Sequence, residues 1–132
     1  MAVAVVRAHQ GEKDAEAKAR EALARARRAF PEGHIEIARA LAGQGRVLLR
    51  GRRWKEAEAA LREALATARK RYPDPNWRTA EASALLGVAL AGQGRKEEGA
   101  ALLEGGCAEL AKVLPPAHPR VAELDRLRRA LK

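Results

Sequence analysis

Apolar residues in the middle of the chain recur at steps of three and four: Trp54, Ala57, Leu61, Ala64, Leu65, Ala68 and Tyr72. Side chains spaced this way share one face of an α-helix, so the pattern predicts an amphipathic helix from about Trp54 to Tyr72. Corresponding positions stand 42 residues earlier, at Ala15, Ala19, Ala22, Leu23, Ala26 and Phe30, and 42 later, at Gly99, Leu103, Gly106, Cys107, Leu110 and Leu114. Between Glu12–Pro31 and Trp54–Pro73, twelve of the twenty positions are identical. A fixed period of this size is the mark of a stacked helical array, in which each unit buries its apolar face against the next. Each of the three helices runs into a proline, Pro31, Pro73 or Pro115, and proline disfavours helical geometry in the residue before it.

Partner helices are predicted between these, from about His34 to Arg50 and from about Asn76 to Ala91. They match across the period at Ala38/Ala80, Ala40/Ala82, Ala42/Ala84, Gly45/Gly87 and Leu48/Leu90. The turns Gly51-Arg52-Arg53 and Gly92-Gln93-Gly94-Arg95 follow them, glycine being the usual residue at the left-handed end of a helix. Met1–Ala8 reads as the stub of an earlier partner helix that ends near Gln10-Gly11. A last helix, Pro119–Leu131, carries Val121, Leu124, Leu127 and Leu131 among Arg120, Arg126, Arg128 and Arg129. About seven helices are expected in one domain. Residues 1–30 form a partial first repeat, 31–72 a second, 73–114 a third, and 115–132 a helix that caps the apolar end of the array. The half-hairpin at the start reads as a piece of a longer array or as a shortened one. Gly43, Gly45, Gly87, Gly99, Gly105 and Gly106 fall inside predicted helices. There, glycine costs about 1 kcal/mol relative to alanine, and close backbone approach between helices is the expected compensation.

Composition narrows the chemistry. Aromatic residues are 3% of a chain that is 47% hydrophobic, so the core must be Ala and Leu. Lys and Arg outnumber Asp and Glu by 26 to 17, a net charge of +9, which favours acidic partners or polyanions. The excess is uneven: +3 over residues 1–30, +5 over 31–72, −2 over 73–114 and +3 over 115–132. The one cysteine, Cys107, excludes an internal disulfide and a cysteine-based zinc site. No signal peptide and no membrane-length apolar run is present, so a cytoplasmic location is expected.

The segment Gly45…Trp54-Lys55-Glu56-Ala57…Leu61…Ala64-Leu65, with the pair Leu86-Gly87, resembles the tetratricopeptide repeat. The 42-residue spacing and the linker Pro116-Ala117-His118-Pro119 resemble its longer form, found in kinesin light chains and in bacterial regulatory proteins. The resemblance implies an all-α, right-handed superhelical array of antiparallel hairpins whose first helices line a concave binding face. Lys96 replaces the turn aromatic of the third hairpin, and Gly99 and Gly106 replace its packing alanines. The adjacent asparagines that hold a peptide backbone in the long form are replaced by Ala42-Gly43 and Ala84-Leu85.

On the His34–Arg50 helix, Arg39, Arg46 and Arg50 are seven and four apart and share a side. The resemblance makes that side concave. Arginine's forked donors suit a carboxylate, and the equivalent positions on the next helix, Glu81, Val88 and Gly92, make the groove more apolar further along. Leu49, Ala84 and Val88 are the expected apolar floor. Most exposed arginine stripes are simply solvated, so the stripe alone decides little. The basic runs Arg50, Arg52, Arg53, Lys55 and Arg69-Lys70-Arg71 could hold phosphates, but Trp54, Tyr72 and Phe30 fall on core positions rather than on a stacking surface. His34 and His118 are two periods apart and cannot meet on one metal, and His9 is the remaining histidine. Cys107 aligns with the core positions Leu23 and Leu65 and reads as a small apolar residue, not a nucleophile. Gly43-Gln44-Gly45 and Gly92-Gln93-Gly94 do not complete a phosphate-loop motif. The acidic residues are expected on outward faces, with no catalytic pair among them.

These residues point to a non-enzymatic module, needing no cofactor or metal, that binds an acidic protein or peptide partner. The alternatives left open are a polyanion- or RNA-binding repeat and a self-associating scaffold.

Overall fold

In the computed structural model, which describes residues 2–73 and 76–130, six helices follow one another: α1 (Ala2–Ala29), α2 (Ile35–Arg50), α3 (Trp54–Arg71), α4 (Trp77–Gly92), α5 (Lys96–Val113) and α6 (Pro119–Ala130). No strand occurs among the described residues. Met1 and Leu131 lie outside them, as do the side chains up to His9. The helix starts repeat at the period read from the sequence: Ile35, Trp77 and Pro119 begin one set, Trp54 and Lys96 the other.

The ends repeat too, because the same capping chemistry recurs. His34 Nδ1 accepts from the Glu36 N–H at 3.0 Å, Asn76 Oδ1 from the Arg78 N–H at 2.9 Å, and His118 Nδ1 from the Arg120 N–H at 3.1 Å. Each satisfies one of the amides that a helix start leaves without an internal partner. At the other end Phe30, Tyr72 and Leu114 each donate the last backbone bond to the carbonyl four residues back, and the following proline stops the chain. The turns entering α3 and α5 need a left-handed residue; it is Arg52 (φ 59°) in the first and Gly94 (φ 89°) in the second.

Successive helices pack as antiparallel neighbours, and in addition α2 touches α4 and α4 touches α6. The backbones of α1, α3 and α5 stay apart from one another, and α1 reaches α3 only through side chains such as Arg27 on Glu63 among the described residues. Two layers result. The layer whose helices meet side by side, α2–α4–α6, is the inner, concave one; α1, α3 and α5 are splayed outside it. This is an all-α helical-repeat solenoid.

The core is made of Ala and Leu, as composition demands. Leu61, Leu85, Leu86, Leu90, Leu103, Leu110 and Leu124 are almost completely buried. Small residues let α4 and α5 approach to backbone contact. A Cβ on Gly106 would lie 2.6 Å from the Ala80 carbonyl oxygen, and Gly87 and Gly99 face each other's backbones. The third hairpin is therefore packed backbone against backbone where glycine replaces the packing alanines. Gly43 and Gly105, in contrast, meet nothing, so close approach does not account for them.

Three expectations need correction. Helix α1 runs unbroken through Gly11, giving six helices instead of seven. Gly11 has neither a positive φ nor a following proline, and a lone helical glycine costs too little to stop an Ala-rich helix. Phe30 is not in the core: it is 36% exposed and stacks on His34 at 4.3 Å. The carboxylates do not all face outward, since Glu16 and Glu81 are buried, each against an arginine.

Candidate functional site

The inner layer holds two adjoining cavities. The first, about 230 Å³, lies among Arg39 and Arg46 of α2, Trp77, Arg78 and Glu81 of α4, and Arg120 of α6. The second, about 260 Å³, has Leu49, Arg50, Val88 and Leu127 around it, with Glu123 and Arg126 at its α6 edge. Arg46 lines both. The sites exist because residues one period apart stand on neighbouring helices of the same layer.

Glu81 ties the three helices of the inner layer together. Its side chain is 5% exposed and receives Arg46 Nη2 and Arg120 Nη1 on the same Oε2, each at 2.5 Å. A buried carboxylate is retained only where charged donors replace its lost water, and these two arginines, from α2 and α6, do so. Arg46 Nε also lies 3.2 Å from Glu123 Oε1, near enough for ionic attraction but not aligned as a hydrogen bond, so that buried N–H lacks an acceptor. The buried Nε of Arg78 likewise has no acceptor. The Arg78 and Arg120 guanidinium carbons sit 4.5 and 4.4 Å from the centre of the Trp77 ring, which attracts cations to its face.

Of the residues read from the sequence, Arg39, Arg46, Arg50, Leu49, Glu81 and Val88 come together on this groove. Their states differ. Arg39 and Arg50 are exposed, with Arg39 held only by Glu36 of its own helix. Arg46 and Glu81 are committed to each other. Leu49 and Val88 are largely buried at the edge of the second cavity. Ala84 is fully buried and turned the other way, against Gly106 of α5. It packs the hairpin and lines neither cavity.

Sequence reasoning missed Trp77, Arg78, Arg120, Glu123 and Arg126. The signal was in the period. Glu36, Arg78 and Arg120 are equivalent positions, as are Arg39, Glu81 and Glu123. The Glu-to-Arg pair of α2 is inverted in α4 and α6, which sets a carboxylate of one helix against an arginine of the next.

Cys107 packs partly buried against the core, and burial raises its thiol pKa above the ordinary value, which leaves it protonated and a poor nucleophile at neutral pH. Among the described residues no cluster of His, Cys, Asp and Glu could hold a metal, and no helix is long and apolar enough to cross a membrane.

Stacked hairpins with a lined inner face define a helical-repeat binding scaffold. A family model for the tetratricopeptide repeat matches residues 1–70, and the chain belongs to that family. Tetratricopeptide repeats generally mediate protein–protein interaction and are typically not catalytic. No curated protein matches the chain.

Proposed function

We propose that this chain is an interaction module of the long, 42-residue tetratricopeptide form, acting in the cytoplasm, and that its inner groove takes an acidic segment of a partner protein. The observation that carries this reading is the pair of adjoining cavities on the α2–α4–α6 face, edged by Arg39, Arg50 and Arg126 and floored by Leu49, Val88 and Leu127. Exposed guanidiniums offer bidentate contacts to carboxylates. The apolar floor supplies burial, and a rigid preformed groove reduces the ordering cost of binding. Arg46, already neutralised by Glu81 and Glu123, supports the wall instead of greeting the partner, and Ala84 belongs to the hairpin packing.

Affinity selection from an acidic peptide library, followed by Arg39→Glu with Arg50→Glu, tests this. Affinity should fall at least tenfold with helicity unchanged, while Arg69→Glu on α3 should have little effect. Equal losses for both would refute the groove.

The exposed run Arg69, Lys70 and Arg71 at the end of α3 favours one other reading, a polyanion surface on the outer layer. It predicts oligonucleotide binding that collapses steeply with salt and is removed by the Arg69 variant.

A further inference from the structure

We infer that the first cavity, between α2, α4 and α6, is a seat for a phosphoryl dianion with Arg78 as its principal open ligand. The inference rests on the groove reading above and adds the chemical class of the group that this part of the groove recognises.

Four guanidiniums, Arg39, Arg46, Arg78 and Arg120, line the cavity with a single carboxylate, Glu81. With Glu36 on Arg39 and Glu123 on Arg46 counted beside Glu81, one positive charge is in excess, and Arg78 is the arginine without a carboxylate among the described residues. Glu81 is saturated by Arg46 and Arg120, and Arg39 has only Glu36. Arg78 makes no ion pair among the described residues; its cation rests on the rings of Trp77 and Tyr72. One buried donor at this place, Arg78 Nε, has no acceptor among the described residues, whereas Arg46 Nε faces Glu123. Buried donors are costly to leave unmade, and groups left so mark a place where an acceptor belongs. At about 230 Å³, the cavity has room for roughly seven waters at ~30 Å³ each, enough for a phosphoryl group and the stem that carries it.

The number of open guanidinium donors, on Arg78 and Arg39, favours phosphoryl over carboxylate. A phosphate monoester brings close to two negative charges and three acceptor oxygens at neutral pH, against one charge and two oxygens. It can meet Arg78 bidentately and still offer an oxygen to the exposed Arg39 on the same cavity. The planar guanidinium is already held against the Trp77 ring, 4.5 Å from its centre, which reduces what ordering it on a ligand would cost. The phosphoryl group can belong to a free phosphate ester or to a phosphorylated side chain of a partner.

Isothermal titration of the full chain at pH 7.5 and fixed ionic strength tests the site with inorganic phosphate, acetate, phosphoserine and a short phosphoserine peptide. Phosphate and phosphoserine should bind saturably, acetate at least tenfold more weakly. Arg78→Gln should weaken phosphate tenfold or more, Arg78→Lys should restore part of it, and Arg69→Gln should change nothing. Arg39→Gln is the second lining variant should Arg78→Gln lose helicity. A peptide that binds tighter than phosphoserine identifies a partner segment as the source; equal binding identifies a small ester. Equal, unsaturable responses to phosphate and acetate, or full phosphate binding by Arg78→Gln, would overturn the inference. Acidic-peptide binding that phosphate fails to compete for sinks this site alone, whereas phosphate binding with no peptide binding sinks the groove reading and leaves the site.

Discussion

Two neighbouring glycines of α5 show how local the packing rules are. Gly105 is exposed and a Cβ there would meet nothing, while a Cβ on Gly106 would lie 2.6 Å from the Ala80 oxygen and 2.7 Å from the Ala84 Cβ. Gly105→Ala should therefore stabilise the protein by about 0.5–1 kcal/mol, the ordinary gain in helix propensity. Gly106→Ala should destabilise it by about 1–3 kcal/mol, because backbone and not a flexible side chain must give way. Urea unfolding of the two variants separates them by sign. Arg52 offers a second residue-scale test. It occupies a left-handed conformation (φ 59°) where its equivalent, Gly94, has no Cβ to clash. Arg52→Gly should gain about 1 kcal/mol in the same experiment, since left-handed backbone costs an L-residue about 1–2 kcal/mol.

Each helix is held in place by contacts that its own pattern cannot reveal, and the link between α3 and the α4–α5 turn shows it. Glu58 accepts from Gln93 at 2.8 Å and from Arg62 at 2.7 Å, with Arg95 at 3.7 Å. The Gln93 hydrogen bond first, then the Arg62 hydrogen bond and the charges of Arg62 and Arg95, hold its carboxyl below the ordinary value despite partial burial. A folded-state pKa below the unfolded one stabilises the fold above the ordinary carboxylate pKa, about 4.3. That contribution is lost as pH falls from there through the folded value. Glu58→Gln should lower the urea midpoint at pH 7 and make the decline towards pH 3 shallower. What was legible in the sequence follows the same division. The 3.6-residue pattern and the proline stops placed α2 to α6 within a residue or two, because both are local and repeat. The break expected at Gly11 did not occur, because only a proline or a required left-handed residue ends a helix that alanine favours. Phe30 took the exposed side although its equivalent position looked like core, and it stacks on His34, whereas its equivalent Leu114 packs against the core. Ala84 turned to the hairpin and not to the groove for a related reason: a shared side of a helix gives direction to about one-third of a turn, and the choice between groove and hairpin lies within that width.

At the scale of the molecule, the groove is closed at one end by α6, and the closure runs through charge. Glu81 of α4 joins Arg46 of α2 to Arg120 of α6, and Glu123 of α6 faces Arg46 in return. Three inner helices thus share one network around the buried Glu81, while α6 buries only Leu124 almost completely. Removing one partner of a buried pair leaves a charge without its compensation, which costs about 3–5 kcal/mol. Arg46→Glu is worse, since it brings a third carboxylate between Glu81 and Glu123. It should lose at least that much stability, and amide hydrogen exchange should rise first in α6, the inner helix with the least apolar burial to fall back on. Arg50→Glu, on the same helix but exposed, should leave the exchange of α6 as it was. The contrast separates architecture from recognition among arginines that share one helix side. If Arg46→Glu leaves the exchange of α6 unchanged, Glu81 is not what holds the end of the groove in place, and the burial of Leu124 with Val121 and Leu127 against the core must suffice alone.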